Sequence, residues 1–177
     1  MILYCQAEQL LGNFDLSIKN LYDTQRYINP ANKRQTAQLY SLMGRVYSKL
    51  GDYNKGIELN DKATSIFKSL GDSASVAGCY NERGVMHYLL DEFLVAERFL
   101  QRALTINRAQ RNLKEIATNL NNLCPVSYTH LIRSRRRLKY RRLGCGRHLY
   151  RLIRSVQQES IRILRILQGT RSFEESN

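Results

Sequence analysis

The sequence predicts an all-α chain: a right-handed solenoid of antiparallel helix pairs, followed by a basic tail that is irregular or helical. Three observations lead there. Forty residues separate Gly44 from Gly84, and forty more separate Gly84 from Cys124. The interval carries other positions with it: Tyr40, Tyr80 and Leu120; Tyr53 and Phe93; Gly56 and Ala96; Ala63 and Ala103; Ile66 and Ile106. A period of this length marks stacked supersecondary units, none of which can bury its apolar face alone. Within each interval the apolar residues fall at helical spacing. Breaks such as Gly51-Asp52 and Gly71-Asp72 divide each interval into two helices.

Residues 1–33 read as a repeat cut at its front. Gly12-Asn13-Phe14 mirrors Gly51-Asp52-Tyr53, Ser17 mirrors Gly56, and Pro30 closes the second helix. Residues 34–73 form the first full repeat. Leu39, Leu42, Met43, Val46 and Leu50 make one stripe; Tyr53, Ile57, Ala63, Ile66, Phe67 and Leu70 make the next. Residues 74–112 repeat the arrangement, with Asp91-Glu92 at the first turn and Arg111-Asn112 near the second. Residues 113–125 open a fourth unit. Cys124 stands there in place of the expected glycine, and Pro125 is expected to break the helix in mid-course.

Small residues in the helix interiors have a steric task. A mid-helix glycine costs about 1 kcal/mol relative to alanine, a cost that is tolerated where a neighbouring helix needs the space. Gly44, Gly84, Gly56, Ala96, Ala63 and Ala103 are therefore expected at helix contacts, with Tyr53 and Phe93 filling the gaps. The pattern resembles the tetratricopeptide repeat, in which aromatic and small residues recur across two helices. The matching positions are Tyr40, Met43-Gly44, Tyr47, Gly56 and Ala63, then Tyr80, Gly84, Ala96 and Ala103. Arg83 and His87 depart from it. The resemblance covers about 1–125. The spacing exceeds the usual ~34 residues and looks like the longer-helix variant of bacterial sensory proteins and some eukaryotic adaptors.

That resemblance implies a concave face lined by the first helix of each repeat. The inward positions would be Gln38, Ser41, Arg45, Ser48 and Lys49, then Asn81, Val85, Tyr88 and Leu89, then Asn121. Asn81 and Asn121 lie one period apart, so their amides should share a face. Each offers donors and an acceptor to an extended peptide; the same residues would equally make a solvated polar surface. Chaperone-tail clamps of this fold hold a terminal carboxylate with Lys and Asn. Ser41, Arg45, Asn81 and Val85 occupy those places here, so no such clamp is expected.

The charge is unevenly distributed. Of the formal net +13, residues 1–131 hold 15 basic and 12 acidic residues, while residues 132–177 hold 13 basic and 3 acidic. The excess therefore belongs to the tail. The hexapeptide Val126-Ser127-Tyr128-Thr129-His130-Leu131 resembles the translated mosaic end of a sequencing adapter. Residues 126–177 are then expected to be non-native or frame-shifted sequence. A one-nucleotide shift permits Phe-Asn-Lys-Ser-Leu across 156–161, similar to Tyr53-Asn54-Lys55-Gly56-Ile57. At face value, residues 133–142 are a phosphate-binding charge run. Leu149, Leu152, Ile153, Val156 and Ile163 would make one face of a basic amphipathic helix.

No catalytic group is expected. The sequence holds no phosphate loop, HExxH or GxSxG. Cys124, His130, Cys145 and His148 lack the tight cysteine pair of structural zinc sites. No metal or cofactor is assigned. No apolar run approaches the ~18–20 residues that span a bilayer, and residues 1–20 lack a signal-peptide pattern; a cytoplasmic location is expected. The reading is a non-enzymatic scaffold, a fragment of a larger protein, gripping a peptide or protein partner. The exposed ends of the array offer a route to self-association. One alternative is the sensory segment of a bacterial signalling or transcription regulator. The other is a basic-tailed binder of nucleic acid or membrane surfaces, expected only as a non-specific effect of the tail.

Overall fold

A computed structural model of the chain describes residues 13–29, 31–138 and 158. The described residues form six α-helices and no strand: α1 Phe14–Tyr27, α2 Lys33–Lys49, α3 Tyr53–Ser69, α4 Ser73–Leu89, α5 Phe93–Ala109 and α6 Leu113–Leu138. The expected all-helical repeat architecture is present.

The turns explain the period. Four consecutive helices, α2 to α5, are each 17 residues long. Three residues join each to the next. The first of them closes the helix, and the second adopts a left-handed backbone: Gly51 (φ 86°), Gly71 (φ 68°), Asp91 (φ 63°) and Arg111 (φ 55°). The third returns its backbone N–H to the last helical turn, as in Asp52 to Tyr47 O and Asp72 to Phe67 O, both 3.0 Å. This is the Schellman arrangement. In three of the four turns the side chain of that third residue also caps the following helix, Glu92 being the exception. Asp52 Oδ1 accepts from the Lys55 N–H at 3.0 Å, Asp72 Oδ1 from Ser75 at 3.1 Å, and Asn112 Oδ1 from Glu115 at 3.3 Å. Caps of this kind contribute about 1 kcal/mol each. One residue thus ends a helix and starts another, giving a 20-residue unit and, in pairs, the forty-residue period.

Each helix packs on its successor. In addition α2 meets α4 and α4 meets α6, whereas Cα atoms of α1 and α3, or of α3 and α5, do not come within 8 Å. The even-numbered helices therefore form an inner layer, and the odd-numbered ones splay outward. The core lies between the layers. Leu21 on α1, Leu39, Met43 and Val46 on α2, and Leu59 on α3 form one cluster centred on α2. Phe67, Val76 and Cys79 join α3 to α4. Leu100, Leu104, Ile116, Leu120 and Val126 join α5 to α6. Full burial of a side chain such as Leu100 contributes roughly 1.5–3 kcal/mol.

The small residues sit where the spacing implied. A Cβ on Gly44 would stand 2.9 Å from the Gly56 carbonyl oxygen, and one on Gly84 2.6 Å from Leu100 Cγ. Ala63, Ala96 and Ala103 are fully buried, as is Ser17, the counterpart of Gly56 in α1. Tyr40, Tyr47 and Tyr80 are partly buried against the core clusters. Phe93 is buried and meets the Tyr88 ring edge-on at 5.6 Å.

One expectation is corrected. Pro125 does not break the fourth unit: α6 continues through it to Leu138. A proline removes one backbone donor and crowds the carbonyl of the residue four before it. That residue is Asn121, and both Asn121 and Pro125 are exposed, so water can serve the freed oxygen. On the opposite side Val126 and Ser127 are buried, which holds the helix against the array beyond the proline. Residue 30 and the tail features between 139 and 177 lie outside the described residues, Gln158 excepted.

Candidate binding cleft

The stripes that pack the core leave a second stripe on the inner side of α2 and α4. Positions 35, 38, 41, 42 and 45 share a face of α2 by the 3.6-residue period, and 75, 78, 79 and 82 share one on α4. Between the two faces lies a cleft of about 460 Å³. Residues 35 to 45 span about 15 Å of helix at 1.5 Å per residue. Its floor is apolar: Leu42, Phe67 and Cys79 are all buried. Its rim is polar and mostly uncharged, built from Gln35, Gln38, Ser41 and Ser75.

An ion pair bridges α2 and α4 at each end. Toward the helix N-termini, Arg34 Nη1 donates to Asp72 Oδ2 at 2.8 Å. The Ser75 backbone N–H, aided by the Ser75 hydroxyl and Arg34, holds the Asp72 carboxyl below its ordinary value against the opposing effect of burial. Further along, Arg45 donates from Nε at 2.9 Å and from Nη2 at 2.5 Å, both to Glu82 Oε1. The other oxygen, Oε2, accepts from Asn60 Nδ2 at 3.3 Å. Loss of water pushes the Glu82 carboxyl above its ordinary value, and Arg45 and Asn60 offset only part of that. Cys79 on the floor is driven to about 11, first by burial and then by the nearby Glu82 charge. Its thiol is thus a protonated wall group without nucleophilic reactivity.

Gln38, Ser41 and Arg45 line this cleft. Gln38 and Arg45 are exposed and Ser41 half-buried; Ser48 is half-buried and Lys49 exposed further along α2. Asn81, Val85 and Tyr88 are half-buried where α4 meets α6, and Tyr88 packs against the α5–α6 core. Asn121 is exposed on α6. The amides that meet are different from the pair the spacing singled out. Asn81 Oδ1 accepts from Asn119 Nδ2 at 2.7 Å and from Asn122 Nδ2 at 3.0 Å, and Asn119 Oδ1 accepts from Asn107 Nδ2 at 2.6 Å. Asn81 is therefore engaged within the fold, stitching α4 to α6 and, through Asn119, to α5.

Sequence reasoning overlooked Gln35, Ser75, Gly78 and Glu82. The signal was present in the helical stripe 75–78–82 on α4, which faces the stripe 35–38–42–45 on α2. It was obscured because these residues are small or polar and carry no repeat signature. His87, noted as a departure from the pattern, has a packed side chain. Its ring stacks on Phe99 with centroids 5.4 Å apart, and its Nδ1 lies 2.6 Å from Glu92 Oε2. Arg83, the other departure, lies over the same Phe99 ring at 4.3 Å and pairs with Asp61. Among the described residues no cluster of three or more His, Cys, Asp and Glu could hold a metal ion, and no helix is long and apolar enough to cross a membrane.

Residues 35–109 match the tetratricopeptide repeat family. No curated protein matches the chain. Among solved structures, the chain is similar to the crystal structure of BtubC (BKLC) from P. vanneervenii, with a TM-score of 0.58 at 18% identity, over 98% of this chain and 79% of that one. It is also matched to the crystal structure of MamA, with a TM-score of 0.44 at 14% identity, over 98% of this chain and 97% of that one. At 18% identity the likeness to BtubC shows a shared fold. The family match runs across the four helices α2 to α5, three of which, α2 to α4, line the cleft.

Proposed function

We propose, from the match of residues 35–109 to the tetratricopeptide repeat family, whose repeats serve as protein-interaction scaffolds, that this chain is a non-enzymatic interaction module. Its partner is a protein that lends a peptide segment to the inner layer. The observation that carries this reading is the cleft between α2 and α4, with its buried Leu42–Phe67–Cys79 floor and its amide and hydroxyl rim. Such a lining suits a peptide. An apolar side chain fills the floor, while Gln35, Gln38, Ser41 and Ser75 serve the peptide's own backbone donors and acceptors. A rigid wall supports the same reading, because two helices bridged by ion pairs at both ends lose little freedom when a ligand arrives. Asn81 contributes indirectly by fixing α4 against α6.

The test is to select short peptides from a displayed random library on the 177-residue chain and map them by backbone chemical-shift changes. The expected shifts cluster on α2 and α4 around Gln38, Ser41 and Arg45. Gln38→Ala and Arg45→Ala should each weaken binding by about tenfold, equivalent to ~1.4 kcal/mol. Shifts confined to the outer helices α3 and α5, with neither substitution mattering, would overturn the reading.

A further inference from the structure

The outer side of α4 departs from its own repeat. Positions 80, 83 and 87 share one face of that helix, nearly opposite the 75–78–82 stripe that lines the cleft. One period earlier the same register holds Tyr40, Met43 and Tyr47, and Met43 packs with Leu59 in an apolar cluster. On α4 it holds Tyr80, Arg83 and His87, and Phe99 of α5 stands in the place of Leu59. The Arg83 guanidinium lies 4.3 Å over the Phe99 ring and pairs with Asp61 of α3, while the His87 ring stacks on Phe99 at 5.4 Å. Tyr80 meets Phe99 at 5.8 Å, Lys68 of α3 lies 5.4 Å over the Tyr80 ring, and Arg102 of α5 lies 5.8 Å from Phe99. Three helices thus share one cluster, although Cα atoms of α3 and α5 do not come within 8 Å. The exchange leaves Arg83 Nε and His87 Nε2 buried with no hydrogen-bond partner, which Met43 and Tyr47 avoid. A fold shaped by stability alone would repeat the apolar version, and exceptions of this kind gather at functional surfaces.

We infer that the outer groove between α3 and α5, floored by α4, is a second docking surface, and that its occupant is an acidic amphipathic helix of another protein. The inference does not depend on the inner cleft. Its apolar part comes from Tyr80, Phe99 and Ile106, all half-buried, so each offers part of its surface to an apolar side chain. The ring faces are already covered, Phe99 by Arg83 and His87 and Tyr80 by Lys68. A nucleic-acid base therefore finds no face to stack on, whereas the ring edges remain open to aliphatic groups. The charge comes from the walls. Lys68 on α3 and Arg102 on α5 are exposed and form no ion pair among the described residues, unlike Lys55, Lys62 and Arg83. The carboxylates at the groove, Asp61 and Glu92, are engaged by Arg83 and His87. A helix whose apolar stripe is flanked by carboxylates meets both unanswered cations, one on each wall, while filling the floor. A second copy of this chain does not supply it, since no described helix carries a net negative charge.

The test titrates fluorescently labelled peptides, stapled into helices, against the full chain. Each is 17 residues long, the length of the groove walls. One carries leucines along a single stripe with glutamates beside it, and its counterpart carries lysines in place of the glutamates. The acidic peptide should bind, shifting backbone resonances of α3, of α5 and of residues 80–87. Lys68→Glu combined with Arg102→Glu should weaken it by about tenfold or more and should allow the lysine peptide to bind instead. Both side chains are exposed, so the double variant should melt as the wild type does. Binding indifferent to these reversals but lost in Arg45→Ala would put the peptide in the inner cleft and overturn the outer groove. Binding indifferent to all three substitutions and abolished by salt would mark a general attraction to the basic residues 132–177, and would overturn it too. Equal affinity of the lysine peptide for the wild-type chain would overturn the acidic class. Displacement of the peptide by a single-stranded oligodeoxynucleotide would make nucleic acid the occupant instead. No binding of the acidic peptide would sink the inference and leave the cleft reading untouched.

Discussion

Gly44 and Gly84 share a register position but face different neighbours. Opposite Gly44 stands the carbonyl oxygen of Gly56, which belongs to the backbone of α3; opposite Gly84 stands the side chain of Leu100, which can shift. Gly44→Ala should therefore lower stability in chemical denaturation by about 1–3 kcal/mol, overpacking outweighing the gain in helix propensity. Gly84→Ala should lower it less. Glu82 sets a pH dependence of its own. A carboxyl held above its ordinary value favours the protonated form in the folded chain. Its contribution is fully present below about 4.5, the ordinary glutamate value, and is lost as pH rises through the raised one. Glu82→Gln does not titrate. Thermal melts across that range should show wild type losing stability relative to the variant as pH increases; a flat difference would exclude the assignment. The forty-residue spacing made the packing glycines legible, because steric demand repeats with the fold. The place of Glu82 was not legible, because it depends on which side of α4 looks across at α2.

The helices owe their equal lengths to turns in which one residue accepts a left-handed backbone and the next serves as a cap. Glycine fills the first role at 51 and 71, and the signal was readable there. Arg111 fills it without the freedom glycine has. Arg111→Gly should relieve roughly 1 kcal/mol of backbone strain and raise the melting temperature, so long as the Asn112 cap is kept. In α6 the proline rule misled, since it describes an isolated helix. Pro125 faces water while Val126 and Ser127 anchor the next turn. Pro125→Ala should restore one backbone hydrogen bond and add up to ~3 kcal/mol, measured as an increase in unfolding midpoint. No increase would mean that α6 unfolds at the proline before the rest.

Across the described helices each leans on its immediate neighbours, and among them only those of the inner layer make contacts one step further. Stability in such an array is close to a sum of units and interfaces. Amide hydrogen exchange should therefore be slowest in α3 and α4, the two central helices of the six, and faster toward α1 and the far end of α6. Uniform protection across all six helices would argue for a single indivisible core. The repeat architecture could be read from the sequence because its stripes and breaks recur in step. The candidate cleft could be read only in outline, since Gln38, Ser41 and Arg45 line it but Asn81 and Asn121, expected to share a face with them, do not. The three-residue turns have a consequence for how such chains change over generations. Residues 51 and 91 occupy the same conformation, each followed by a residue that starts the next helix. A stretch of coding sequence running between two such turns can be dropped or copied without inventing a new junction. The length of the chain is thus open to revision by recombination, while the shape of each joint is inherited intact.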